Sequence, residues 1–363
     1  MSAARPLRLL AYTDSLAVGG AELVLGYLLG ALAPDIEVGV LAMDPEVAQA
    51  ILARRPEGRA RIVRPPRSGS DLALLHDHLV AVRAFAPDVI HSNHAWPWAC
   101  LYGELAGMLA PGVRVIAVDH LPVVAAIPRS RRLTARLLAR RLDAHLAVGE
   151  RVARSIEELV GLRAGSVDSV ANGVPIEQVA PIVPVAPAPV IGSLGRLTEQ
   201  KGYDLLIRAL PQLPGATVVL VGDGPERSAL EKLACELGVA ERLVIVGWVS
   251  DARRYLATFD IFALPSRWEG MPLGIIEAMQ SGVPVLATDV GSVIEVVSDG
   301  ETGYVVARGD RRALQDRLQI LLADPLVRRR MGERGRDVAL ERFTDVVMAQ
   351  RYEAVYREVV GAS

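Results

Sequence analysis

Short runs of β-branched and leucine residues alternate with longer stretches whose apolar residues recur every three or four positions. The alternation passes through the chain twice. In the first half the runs are LRLLAYTD, EVGVLAM, ARIVR, DVIHSN, RVIAVDH and AHLAVG, with helical patterns such as AELVLGYLLGAL and LLHDHLVAVRAF between them. In the second half they are PVIGSLGRL, ATVVLVGDG, RLVIVGWV, IFALPS, PVLATD and GYVVA. Strands that follow one another through helices pair in parallel, so the pattern predicts an α/β chain made of two Rossmann-like, doubly wound sheets.

A length of 363 residues also exceeds what one ordinary core holds, which agrees with two domains. The longest uncharged run, QVAPIVPVAPAPVIGSLG, could suggest a membrane span, but Pro181, Pro184, Pro187 and Pro189 break any helix there. It reads as a linker at about 179–190 that runs into a strand. Paired domains of this kind place a cleft between their strand C-terminal ends, where doubly wound sheets bind ligands. The N-terminus lacks a long apolar segment, so a cytoplasmic protein without a signal peptide is expected. A net charge of −2 gives no electrostatic case for nucleic acid. Two distant cysteines, Cys100 and Cys235, exclude a disulfide scaffold and a thiolate zinc cluster.

Of forty basic residues only two are lysines, Lys201 and Lys232. Lys201 lies in GSLGRLTEQKGYDLL, directly after a strand, together with Arg196. A planar cation and a point-charge cation on one strand-to-helix loop form a natural pyrophosphate clamp. Gly19 and Gly20 in TDSLAVGGAELV precede a helix and let backbone approach an anion, though they lack the full dinucleotide fingerprint and also suit a plain tight turn. Asp223 and Gly224 in VGDGPE suit a tight turn with positive φ. In VGWV, the backbone around Trp248 and Val249 is placed to read a nucleobase, while Trp248 also suits a core or rim position.

The stretch SRWEGMPLGIIEAM carries two acids in apolar surroundings, Glu269 in a Gly/Pro-broken loop and Glu277 inside a helix. Pro272 suits the first turn of that helix because its missing N–H is not needed there. Free amides around Gly270, Met271, Leu273 and Gly274 favour negative charge at the helix N-terminus. Carboxylates accept hydrogen bonds from sugar hydroxyls, often two at once. Cations and amides for phosphates, with carboxylates for hydroxyls, suit a nucleotide sugar.

EGMPLGIIE resembles the E-x7-E motif of the retaining glycosyltransferases of family 4, which have the GT-B fold. GGAE, NGV at 172–174, GRLTEQKG, GDGPE, PSRWEG, SGVPVLATDVGSVIEVV and DGETGYVV follow in the family's order and extend the resemblance over nearly the whole chain. The resemblance implies that residues 1–180 bind the acceptor, that 181–345 bind the donor, and that a final helix at 346–363 crosses back to the first domain. It further implies that Glu269 and its neighbours Gly270 and Met271 contact the donor hexose. Glu277 would hold the ribose, and Arg196, Lys201, Gly20 and the adjoining Gly19 the diphosphate, with Leu273 and Gly274. His120 in VDHL would stand at the reaction centre beside Glu269. Many members carry glycine where this chain has Pro272, which cannot donate an N–H, so its neighbours must supply those contacts.

The implied reaction transfers a glycosyl group from a nucleoside diphosphate with retention, by front-face attack. UDP is the first choice of nucleotide and GDP is also compatible. No D-x-D occurs in the chain, so metal-independent chemistry without a cofactor is expected. A glycosidase also uses two carboxylates, but eight helical residues span about 12 Å, against about 5 Å in a retaining hydrolase. A nicotinamide oxidoreductase lacks its fingerprint, a phosphorylase using pyridoxal phosphate lacks a convincing lysine, and a non-catalytic nucleotide-sugar binder remains as an alternative. For the acceptor, His91 and His94 in HSNHAWPW are expected to follow a strand and face the cleft, with no carboxylate nearby to make a metal pair. The arginine-rich segment 127–143 reads as a solvated basic face, with an anionic acceptor or membrane surface as the alternative.

Overall fold

The computed structural model describes residues 5–67, 71–95, 99–122, 129–177, 179–180 and 182–361. Contacts divide the chain into two compact units, Met1–Pro175 together with Asp345–Ser363, and Ile176–Thr344.

The first unit holds strands β1 (Leu7–Thr13), β2 (Ile36–Ala42), β3 (Arg59–Ile62), β4 (Val89–His94), β5 (Arg114–Asp119), β6 (Ala144–Ala147) and β7 (Asp168–Ser169). Between them run α1 (Gly20–Ala31), α2 (Pro45–Leu52), α3 (Leu72–Phe85), α4 (Leu101–Leu109), α5 (Arg129–Ala139) and α6 (Glu150–Val160). The sheet is wholly parallel in the order β3-β2-β1-β4-β5-β6-β7, so the winding reverses between β1 and β4. β7 is a seventh strand beyond the six that the pattern predicts; two residues are too few to leave a periodic signature. Local chemistry sets the helix starts. Asp44 and Asp71 cap α2 and α3 by accepting backbone N–H bonds, and Pro45 occupies the first position of α2.

The second unit has β8 (Val190–Leu194), β9 (Thr217–Val221), β10 (Leu243–Gly247), β11 (Ile261–Leu264), β12 (Val285–Thr288) and β13 (Gly303–Val306). Its helices are α7 (Tyr203–Ala209), α8 (Arg227–Glu236), α9 (Leu273–Gln280), α10 (Val293–Val296), α11 (Arg311–Ala323) and α12 (Pro325–Arg342). The order β10-β9-β8-β11-β12-β13 is again parallel and reverses between β8 and β11. Strands β8, β9, β11 and β12 are buried along their length, as expected of a sheet covered on both faces. A core of Ile191, Leu206, Leu220, Ile261, Leu286 and Leu318 forms one face.

The last helix, α13 (Asp345–Gly361), packs on α1 in the first unit. Tyr352 and Tyr356 are buried on one side of it, four residues apart and therefore on the same face. Tyr356 Oη shares a 2.7 Å hydrogen bond with His91 Nδ1 of β4, and Glu353 accepts the Ala33 N–H at 2.6 Å. Cys100 and Cys235 are free thiols. Among the described residues no helix is long and apolar enough to cross a membrane.

Candidate functional site

In each sheet, the point where the winding reverses leaves a gap at the strand C-terminal ends that no crossover fills. In the second unit, the loops leaving β8 and β11 meet there. The β8 loop carries Arg196 and Lys201, and the β11 loop carries Ser266 and Glu269.

Lys201 Nζ donates to Glu269 Oε1 at 2.7 Å. Ser266 Oγ donates to the same oxygen at 2.7 Å, and Gln200 Nε2 lies 3.4 Å from Oε2. Glu269 is 5 % exposed, so this carboxylate is buried only because three donors converge on it. Burial works against the Lys201 charge, yet Glu269 beside it holds the ammonium above its ordinary pKa. The loops are also joined through backbone: Arg267 N–H donates to Gln200 O at 2.7 Å, and Arg267 Nη1 to Glu199 O at 2.7 Å. Gly202 allows the approach. Its φ is +63°, and a Cβ there would lie 2.3 Å from Pro265 O.

Arg196 is exposed and its guanidinium makes no ion pair among the described residues. Helix α9 begins at Leu273, followed by Gly274, with Pro272 as its cap residue (φ −73°, ψ 123°). The proline therefore stands just ahead of the first turn rather than in it; extended ψ at this position lets the chain enter the helix from the loop. Gly270 and Met271 are buried in that loop, where Gly270 O accepts from Ser292 N–H at 2.8 Å. Glu277, the fifth residue of α9, is half-buried. Burial pushes its pKa up to about 7, with Arg253 opposing and Asp251 adding to the rise. Trp248 is 79 % exposed beyond β10, which excludes a core position, and Val249 beside it is half-buried. In GDGPE the positive φ falls on Gly222 and not on Gly224. Gly224 is required instead for space, since a Cβ there would meet Leu197 O at 2.4 Å.

In the first unit, Gly19 is the cap residue of α1 and Gly20 its first residue. Glu22 Oε2 accepts the Gly19 N–H at 2.9 Å, and Glu22 Oε1 lies 3.4 Å from Thr13 Oγ1, which ties the turn to the end of β1. Burial raises the Glu22 pKa. His120 follows β5. It is buried, its Nε2 bonds Asn93 Oδ1 at 2.8 Å, and burial lowers its pKa to about 4, so the ring is neutral at pH 7.

His91 and His94 lie within β4, not beyond it, on opposite faces of the strand. His91 is turned to α13 and bonded to Tyr356, and burial lowers its pKa to about 3. This packing takes His91 out of the acceptor reading. His94 has two carboxylates beside it, against the expectation of none: Nε2 to Glu104 Oε1 at 2.8 Å and Nδ1 to Asp119 Oδ1 at 3.1 Å. Burial disfavours its charge, but these two acids hold the imidazole protonated. His145 Nε2 meets the other Asp119 oxygen at 2.7 Å. Burial would raise the Asp119 pKa, but His94 and His145 keep it below the usual carboxylate range. Among the described residues no group of His, Cys, Asp or Glu is arranged to hold a metal ion. Helix α5 covers the arginine-rich segment from Arg129; 123–128 lie outside the described residues, as do Trp96, Pro97 and Trp98.

Sequence reasoning missed Ser266 and Gln200 around Glu269, Asn93 on His120, and the Glu104–Asp119–His145 cluster. Ser266 sits three residues before Glu269, a spacing that a loop can fold onto itself. Glu104 and His145 are ten and more residues from His94, and no local pattern links them.

Two parallel, doubly wound units, each with loops that meet at a reversal point, make up a GT-B fold. The model for "Glycosyltransferase Family 4" matches residues 18–178 and that for "Glycosyl transferases group 1" matches 178–338. The chain is 37% identical over 167 residues to the lipopolysaccharide core biosynthesis glycosyltransferase LpsE of Rhizobium meliloti, covering 46% of this chain and 49% of that one. It is 39% identical over 168 residues to a GDP-mannose-dependent phosphatidylinositol monomannoside mannosyltransferase of Mycolicibacterium smegmatis, covering 43% of this chain and 44% of that one. The chain thus matches about half the length of these curated relatives or less. Anabaena Alr3699/HepE, solved in complex with UDP-glucose, superposes with a TM-score of 0.83 over 98% of this chain and 100% of that one, at 23% identity. The chain belongs to glycosyltransferase family 4.

Proposed function

We propose that the protein is a retaining glycosyltransferase that moves a hexosyl group from a nucleoside diphosphate sugar to an acceptor hydroxyl without a metal ion. The observation that carries this is the Lys201–Glu269 contact at the β8/β11 reversal, at 2.7 Å. A cation suited to a diphosphate and a carboxylate suited to sugar hydroxyls are held together there, and the N-terminus of α9 follows in the same loop.

In this reading the donor diphosphate takes Lys201 from Glu269 and frees the carboxylate for the hexose hydroxyls. Arg196, Lys201 and the first amides of α9 at Leu273 and Gly274 stabilise charge developing on the leaving phosphate. The bond from the anomeric carbon to phosphate oxygen breaks as the acceptor oxygen bonds to that carbon on the same face, and the departing phosphate takes the acceptor proton. Glu277 accepts from the ribose hydroxyls, the backbone around Trp248 and Val249 meets the base, and Gly19 and Gly20 are further phosphate contacts. Neutral His120, whose one N–H goes to Asn93 Oδ1, leaves Nδ1 to accept a hydrogen bond at the reaction centre without placing a second positive charge there. Cationic side chains supply the charge that a bridging metal would otherwise bring. UDP is the favoured nucleotide, in keeping with the UDP-glucose complex of the Anabaena protein; the mannosyltransferase relative keeps GDP in the comparison.

Thermal unfolding against UDP, GDP, UDP-glucose and GDP-mannose tests the reading. A ligand at a hundred times its Kd stabilises the fold by about 2.7 kcal/mol. Stabilisation by none of the four would overturn it. Turnover that survives EDTA, with the product's anomeric configuration matching the donor's, tests the metal-free and retaining parts.

A further inference from the structure

A cavity of about 370 Å³ opens in the first unit among α4, α5, α6 and the sheet, within the size range of small-molecule sites. Its walls are apolar: Leu101 from the start of α4, Leu138 from α5, Leu142 beyond it, and Ile156 and Val160 from α6. One end is polar, formed by His94, Glu104, Asp119 and His145. His94 and Asp119 are the last residues of β4 and β5, so this end lies at the strand C-terminal edge, and His120 follows Asp119 directly.

The polar end has a definite sense. Both His94 ring nitrogens are spent on Glu104 and Asp119, and His145 Nε2 is spent on Asp119. No ring N–H of His94 is left to receive an anion. The carboxylate oxygens keep unused lone pairs, since each accepts up to two bonds. His145 Nδ1 is buried without a hydrogen-bond partner among the described residues, and the two carboxylates dominate the remaining polar surface. Such an end accepts hydroxyl donors and disfavours anionic groups, while the walls take hydrocarbon.

Resting on the transferase reading above, we infer that this cavity holds the acceptor, and that the acceptor is an uncharged amphiphile with a hydroxyl-bearing head at Asp119 and Glu104 and an apolar body between α5 and α6. This places the first specificity element for the acceptor on side chains that the family motifs do not include.

Alkyl β-D-glucopyranosides from methyl to octyl, titrated calorimetrically as monomers, test the inference. Affinity is expected to rise about two- to fourfold per methylene and then level off as the cavity fills. Octyl β-D-glucuronide, with an anionic head, is expected to bind at least about tenfold more weakly than octyl glucoside. Ala139→Phe and Ala99→Phe fill the cavity from two different walls. Either should abolish the chain-length gain while UDP still raises the melting temperature, which shows that the variant is folded. Affinity independent of chain length, or a chain-length gain unchanged in both variants, would overturn the inference. So would transfer from the donor to methyl and octyl glucoside at equal kcat/KM. If the chain-length gain is present but no nucleotide sugar stabilises the protein, the transferase reading fails and the amphiphile site stands.

Discussion

Removing Lys201 tests whether the two loops at the β8/β11 reversal are held by the charge pair or merely brought together by packing. Lys201 Nζ is 2.7 Å from Glu269 Oε1, with side chains 17 % and 6 % exposed. Breaking a pair this buried costs about 3–5 kcal/mol, because the remaining charge is left without its partner. Glu269 keeps the donors Ser266 and Gln200, so the Lys201→Met cost should sit at the low end, about 3 kcal/mol. For a unit the size of Ile176–Thr344, that corresponds to a melting temperature lower by about 6–12 °C. Glu269→Gln leaves an ammonium facing an amide and should cost a similar amount. The double variant removes both charges, so its cost should fall short of the sum of the singles by at least about 1.5 kcal/mol. Calorimetry of the four proteins without nucleotide reads this directly. Single costs that add within about 0.5 kcal/mol would show that the pair is not coupled, and the argument from the contact would collapse.

The Glu277 carboxyl, with its pKa raised to about 7 from 4.5, favours its protonated form in the fold. Its stabilising contribution is therefore complete below the unfolded value and is lost as pH rises toward 7. Glu277→Gln should gain stability relative to wild type between pH 5 and 8 in thermal melts; parallel curves for the two proteins would contradict the assignment. If a nucleotide's ribose binds the carboxylate, wild-type affinity should climb with pH up to about 7 and that of the Gln variant should not. Arg196, exposed and without an ion pair among the described residues, should tolerate Ala within about 0.5 kcal/mol of stability. The same change should weaken nucleoside diphosphate binding by about ten- to a hundredfold, the worth of one charge-assisted contact. A large drop in melting temperature would instead assign Arg196 to the fold.

How much of this was legible beforehand differs by feature. Twelve of the thirteen strands show in the pattern, most of them because a buried parallel strand is a nearly continuous apolar run; β3, RARI, is exposed throughout and shows only by its place in the alternation. β7, with two residues, does not. The acids of SRWEGMPLGIIEAM and the cations of GRLTEQKG stand out because each is chemically anomalous where it sits. His91 and His94 were misplaced because HSNH reads as a strand's end, whereas the strand continues through both residues and turns them to opposite faces.

The sequence by itself determined the two α/β halves, the loops proposed to carry chemistry, and the family, since all of these rest on local periodicity or on motifs a few residues long. Tertiary structure alone decided which polar groups are neighbours. Lys201 and Glu269 are 68 positions apart, His94 and Asp119 are 25, and His91 and Tyr356 are 265. Parallel pairing brings the first two together because β8 lies beside β11 and β4 beside β5, and the docking of α13 brings the third; a pattern read along one element holds no information about its neighbour.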